Sequence, residues 1–206
     1  VPGTLPYTPP AYGTTDVLFG TGILFTAPNP SPGVGATVPA DASLGVGSSW
    51  TGLGWSYVGA TEAGVTQTYN PSTQNINIEE QPTPVGVAVN TADLQFTTNL
   101  SEETLANINL AYGNSGSIAT TAAGAGQPGK SVLTLSTTFA TLSAALIARN
   151  TYGFATVLYI PVMISAGQVQ TAFRRAAQQR LYPLTLSAVC PFSSISFTQL
   201  TAVATS

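Results

Sequence analysis

Side chains that normally keep a folded surface in water are nearly missing from this chain. Charged residues make up 6% of its 206 positions, against roughly 25% in an ordinary soluble domain. Wetting then falls to Thr, Ser, Asn and Gln, or much of the surface is covered by neighbouring molecules. A body held by large, mostly uncharged interfaces fits this pattern, and so does a Thr/Ser-rich extracellular β-protein.

The length suits one sizeable domain with a real core and long arms. Although 44% of residues are hydrophobic, no apolar run approaches the roughly 18 to 20 residues needed to span a bilayer, which predicts a soluble protein with no membrane partner. No basic segment followed by an apolar one stands at Val1, so no secretory signal is expected, and a first residue other than Met points to a processed or trimmed terminus. The lone Cys190, in "LSAVCPF", has no partner for an internal disulfide and reads as a buried, inert thiol.

Along the chain, "VPGTLPYTPPAYGTT" (1–15) holds too many prolines for a helix or a central strand and reads as an extended arm. The domain proper is expected over 16–190, with long loops at 28–49 and 114–130, and 191–206 as a final strand or tail. "DVLFGTGILFTAP" suggests a strand with a turn or bulge at Gly20 and Gly22. Strand signals recur in "SWTGLGWSYVGA", "AGVTQTYN", "NINIEE" and "VGVAVNTADLQFTTNL", where Leu94 and Phe96 alternate with polar residues. "ATLSAALIA" reads as a strand, although its propensity also permits a helix. Turns are expected at Asn150 to Gly153 and Ala166 to Gly167, and "YPLTLSAVC" sets Leu184, Leu186 and Ala188 on one face. No repeat of 20 to 50 residues is evident.

One helix is expected in "NLSEETLANINLAYGNSG". Ser101 is a good N-cap, Glu102 and Glu103 suit the positive end of the helix dipole, Leu100 with Leu105 forms a staple, and Gly113 stops the helix. Leu105, Ile108 and Leu110 form the apolar stripe.

Histidine is absent, which removes Ser-His-Asp and Cys-His catalysis and, with one Cys, zinc sites. "GAGQPGKS" (Gly124, Gly129, Lys130, Ser131) satisfies the G-x-x-x-x-G-K-[ST] phosphate-loop pattern. A working loop needs a buried strand before it and a helix N-terminus after it; "SIATTAA" lacks the first and "VLTLSTTF" alternates like a strand, so the match is rejected. Glu79 and Glu80, as neighbours in a strand, point to opposite faces and read as a solvated or interface pair, not an acid/base couple. Arg174, Arg175 and Arg180 are too few for a nucleic-acid surface in a chain of net charge −3 and read as ion-pairing residues, between subunits or within the chain. Asn99 begins a glycosylation sequon without a secretory context to support it. No catalytic residue, metal or cofactor is expected.

The block "LGWSYVGATEAGVTQTYNPSTQNINIEEQPTPVGVAVNTADLQFTTNLSEETLANINLAYG" (53–113) resembles the major tail, or tail tube, proteins of long-tailed, siphovirus-like bacteriophages. The likeness lies in an ordered series: an aromatic and glycine start, "T-E-x-G-V", a strand ending in acidic residues, a Pro-containing loop, and a capped helix ending in "AYG". "NTYGFATVLYIPVMISAG" and "YPLTLSAV" look like the same family's closing hairpin, and "GTGILFTAP" like its N-terminal segment. The very low charge, the "GAGQPGK" insertion and the proline-rich arm depart from the pattern.

The resemblance implies a mainly β fold, a β-sandwich or partial barrel with one flanking α-helix and extended terminal arms. It implies hexameric rings stacked into a hollow virion tube, built in the bacterial host cytoplasm, through which genomic DNA passes without specific binding. The implied partners are further copies of the chain, a tape measure protein, and tail tip and terminator proteins. A lumen poor in lysine and carrying carboxylates repels phosphate. Glu79, Glu80, Gln81, Pro82 and Pro84 are accordingly candidates for the lumen or the contact between rings, and Arg174, Arg175 and Arg180 for ion pairs between subunits. The alternatives are a tail terminator or a secretion-tube ring, a carbohydrate-binding β-sandwich using Trp50 and Trp55, and an NTPase resting on Lys130.

Overall fold

The computed structural model describes residues 22–31, 33–40, 44, 45, 47–77, 79, 83–149, 155–171 and 180–200. The predicted arm at 1–15, Gly20 and the Asn150 to Gly153 turn lie outside them.

The chain is mainly β, with one large antiparallel sheet. Its strands are β1 (Ile23–Pro28), β2 (Ser56–Tyr57), β3 (Thr66–Ile76), β4 (Gly86–Leu100), β7 (Leu142–Arg149), β8 (Ala155–Ser165), β9 (Tyr182–Ala188) and β10 (Ser196–Gln199). They run in the order β2-β1-β7-β8-β9-β4-β3, and β10 pairs with β8 off this path. Strands β5 (Ser117–Thr121) and β6 (Lys130–Thr134) form a separate hairpin. Two α-helices, α1 (Gly47–Gly52) and α2 (Leu105–Ala111), and a short 3-10 helix at Phe192–Ser194 complete the described elements.

Strands β1, β7 and β8 have both faces covered, which explains their near-continuous apolar runs. "ATLSAALIA" is accordingly a strand: Ala144 and Ala145 are fully buried on opposite faces, where small side chains let both layers approach. One face carries Leu24, Leu142, Leu158, Ile160, Phe96 and Leu186 beneath Leu110 and Ala111 of α2. The other carries Phe25, Ile147 and Val157 beneath Trp50, Trp55, Ala36 and Leu44.

This second layer corrects one expectation and gives another a structural role. "SWTGLGWSYVGA" is not one strand, because Gly47–Gly52 is helical and only Ser56–Tyr57 pairs with β1. The described part of the 28–49 stretch is a loop up to Gly47, as expected, and around Ala36 it lies over the sheet and is bonded to it. Ala36 N donates to Ser143 Oγ at 2.8 Å, and Tyr159 Oη donates to Ala36 O at 3.0 Å. The Trp50 and Trp55 indoles donate to Leu44 O and Thr37 O, each at 2.8 Å. Trp50 and Trp55 meet edge to face at 4.9 Å, a favourable geometry that also satisfies both polar edges.

Helix α2 starts later than expected. Its N-cap is Thr104, whose hydroxyl accepts from Asn107 N, not Ser101. The two glutamates are drawn outside the helix by other partners. Glu102 Oε1 accepts from Ala60 N at 2.9 Å, and Glu103 Oε1 accepts from Arg180 Nη1 at 2.6 Å and Tyr182 Oη at 3.2 Å. The N′ position thus holds Glu103, and the Leu100–Leu105 staple has no place. The stop is as expected: Gly113 takes φ +97°, and Asn114 N donates to Asn109 O, closing a Schellman turn.

Candidate functional site

The feature that stands out is a two-stranded arm. Strand β4 pairs with β9 only over Gln95–Leu100, so Gly86 to Leu94 pairs with β3 alone. At about 3.3 Å per residue this arm extends about 30 Å from the body. Every residue of β3 is exposed, and nearly all of β4 before Leu94 is exposed or half-buried. "AGVTQTYN" and the start of "NINIEE" are therefore one strand running through Pro71, which an edge position tolerates.

A bulge sets the chemistry of the arm. Pairing passes from Thr91 opposite Ser72 to Val89 opposite Thr73, leaving Asn90 extra on β4. Strand β3 alternates without interruption, and its Tyr69 faces Leu94. Tyr69, Thr73 and Asn75 therefore share the face of Leu94 and Phe96, and so do Val89 and Val87, which lie opposite Thr73 and Asn75. Without the extra residue both valines would stand on the other face. The arm thus prolongs the buried core as an uncovered apolar strip, with Val87 62% and Val89 61% exposed.

At the base of the arm the strip runs into a groove of about 440 Å³ lined by Gln67, Tyr69, Leu94, Phe192, Ile195 and Phe197. Tyr69 and Phe192 meet edge to face at 5.6 Å, and Phe197 is 64% exposed. The groove opens because β8 is paired by β10 over Thr156 to Tyr159 and by β9 over Met163 to Ser165, and β9 carries β4 away from β10.

The acidic pair is placed differently from expectation. Strand β3 ends at Ile76, where Val85 N donates to Ile76 O, and the exposed Glu79 lies in the turn at the tip of the arm. Alternation along a strand therefore does not orient it. Pro84 is exposed in the same turn, and Glu80, Gln81 and Pro82 lie outside the described residues.

The rejected phosphate-loop pattern lies in the β5–β6 hairpin. Gly124 and Gln127 bond each other across a tight turn, with Gly126 at φ +75°. Lys130 and Ser131 begin a strand, and the Ser131 hydroxyl lies 3.0 Å from that of Thr120 across the pair. A strand, not a helix N-terminus, follows Gly129, so no amide cluster converges there. The segment 114–130 is in part this hairpin and not wholly a loop; Thr and Ile in "SIATT" favour the pairing.

Within the chain Arg180 pairs with Glu103 at 2.6 Å. The other two arginines of the cluster, Arg174 and Arg175, lie outside the described residues. Cys190 is half-buried against the core, less enclosed than expected. Trp50 and Trp55 are buried core residues and not exposed aromatics on a sheet face. Burial raises the pKa of the Tyr159 phenol; a hydrogen bond to Ser143 opposes this, and Cys190 adds to it. Among the described residues no helix is long and apolar enough to cross a membrane.

Sequence reasoning missed the groove and the strip. A signal was available: in "VGVAVNTADLQF" the apolar residues fall on Val85, Val87 and Val89, then on Leu94 and Phe96. That change of parity within one strand is what a bulge produces. No protein-family model matches the sequence, and no curated protein matches it.

Proposed function

We propose that this chain is a structural subunit of a virion tail tube, closing into hexameric rings that stack around a channel for genomic DNA. The observation that carries the reading is the arm. A β-ribbon of about 30 Å, bare on both faces and bearing Val87 and Val89 on the face that continues the core, is costly in water and is stabilised when a neighbouring copy covers it. The scarcity of charge agrees, since uncharged surface suits subunit contacts better than bulk water.

The open sheet supports the same assembly. Among the described residues its edge strand β3 has no partner on its outer side, and pairing across subunits removes such edges. The tip bearing Glu79 and Pro84 is the part that would reach the next ring, which favours the contact between rings over the lumen wall for these residues. A net charge of −3 keeps DNA from adhering as it passes. Tape measure, tip and terminator proteins are the further partners such a tube requires, in the tail of a particle assembled in a bacterial host.

Negative-stain electron microscopy over a concentration and salt series tests the reading. Hollow tubes are the expected result. Single rings that do not stack would instead indicate a terminator, and dispersed monomers at every concentration would reject both.

A further inference from the structure

The groove at the base of the arm has the chemistry of a proline-recognition site. Aromatic walls from Tyr69, Phe192 and Phe197 stand over the buried Leu94, with Gln67 as a polar rim. Extended proline-rich segments dock in such aromatic-lined grooves because their conformation is largely set before binding. Prolines cluster in "APNPSP" (27–32), at the end of β1, in "QPTP" (81–84), between β3 and β4, and in "TLPYTPPAY" (4–12), with Pro6, Pro9 and Pro10, and only the last is not tied to a described strand of the sheet on both sides. We propose that residues 4–12 of the same copy occupy this groove. The proposal does not depend on the tube reading.

The register of the sheet supports an occupant from the same chain. Ile23 lies opposite Ile147, Ile147 opposite Val157, and Val157 opposite Thr198. The described chain thus begins in the row of residues that ends beside Phe197, three strand spacings or about 14 Å away. Residues 13–21 span at most about 30 Å when extended, enough to carry the segment across. Tethering keeps it at a millimolar-scale effective concentration, so a weak contact is sufficient. The faces also agree: Phe197 lies opposite Leu158, on the side of the sheet that carries Leu94.

The test uses the full chain with benzoylphenylalanine in place of Phe197, and separately of Tyr69, irradiated at a concentration where it is monomeric. Unlabelled and ¹⁵N-labelled chains are mixed beforehand. Both probes should cross-link to residues 4–12 with no isotopic mixing. The yield should fall at least tenfold when Pro6, Pro9 and Pro10 are replaced by alanine, changes that leave the described fold untouched. Cross-links to other segments, cross-links that join labelled to unlabelled chains, or a yield indifferent to the prolines would each overturn the proposal.

Discussion

Val89 lies opposite Thr73, on the face of the arm that also carries Leu94, and it does so because Asn90 is extra. Deleting Asn90 restores unbroken alternation and turns Val87 and Val89 away from that face. The body, whose pairing begins beyond the bulge, should keep its melting temperature within a few degrees. Tube formation, followed by electron microscopy and sedimentation, should be lost. Replacing Val87 and Val89 by serine leaves the register intact and removes two apolar side chains, each contributing about 1.5 kcal/mol if fully covered. The concentration at which tubes appear should then rise about a hundredfold. An unchanged threshold would show that the strip is not an assembly surface.

Glu102 and Ala60 are joined across the chain by the bond from Ala60 N to Glu102 Oε1, and Gly59 makes it possible. Gly59 has φ +93°, and a Cβ there would lie 2.7 Å from Glu102 Oε2. Gly59→Ala therefore combines backbone strain with a clash and should cost more than about 2 kcal/mol. Glu102→Ala removes only the hydrogen bond and should cost about 1 kcal/mol. In a double-mutant cycle, the Gly59→Ala penalty should shrink when Glu102 is already alanine. Strict additivity would mean the carboxylate moves aside without cost.

These cases show what could be read in advance. The doubly covered strands and the Gly113 stop were legible because apolar runs and glycine act locally. Thr104 was not chosen as the cap because the competition is tertiary: Ala60 and Arg180, distant in sequence, claim the two glutamates that made Ser101 look suitable. The cover formed by residues 33–57 was hidden for a related reason. Its Gly, Pro and Ser content reads as loop, and only the bonds of Ala36 to Ser143 and Tyr159, with the packing of Trp50 and Trp55 on Phe25, Ile147 and Val157, turn it into a layer. The groove arises from two strands sharing one edge of β8, which no local pattern encodes.

The cap assignment has a direct check. Thr104→Ala removes the acceptor for Asn107 N and should destabilise the chain by about 1 kcal/mol, measured by urea denaturation. Ser101→Ala should cost less than Thr104→Ala, because it leaves the acceptor for Asn107 N in place. The reverse order would restore Ser101 as the cap.

Tyr159 predicts how stability responds to alkali. Burial raises its pKa above the ordinary value of 10.0, so the folded chain holds this proton more tightly than the unfolded one. The stabilisation is complete below about pH 10 and is lost as the pH climbs through the raised folded value, because there the unfolded phenol ionises first. Tyr159→Phe removes the hydrogen bond to Ala36 O and should cost about 1 kcal/mol at neutral pH. Other groups titrate in the same range and affect both proteins alike, so the informative quantity is the difference between them. That difference should narrow from pH 9 to pH 11 in urea titrations. A constant gap would mean that the phenol reaches solvent freely in the folded chain, and that the cover over the second face is looser than its hydrogen bonds indicate.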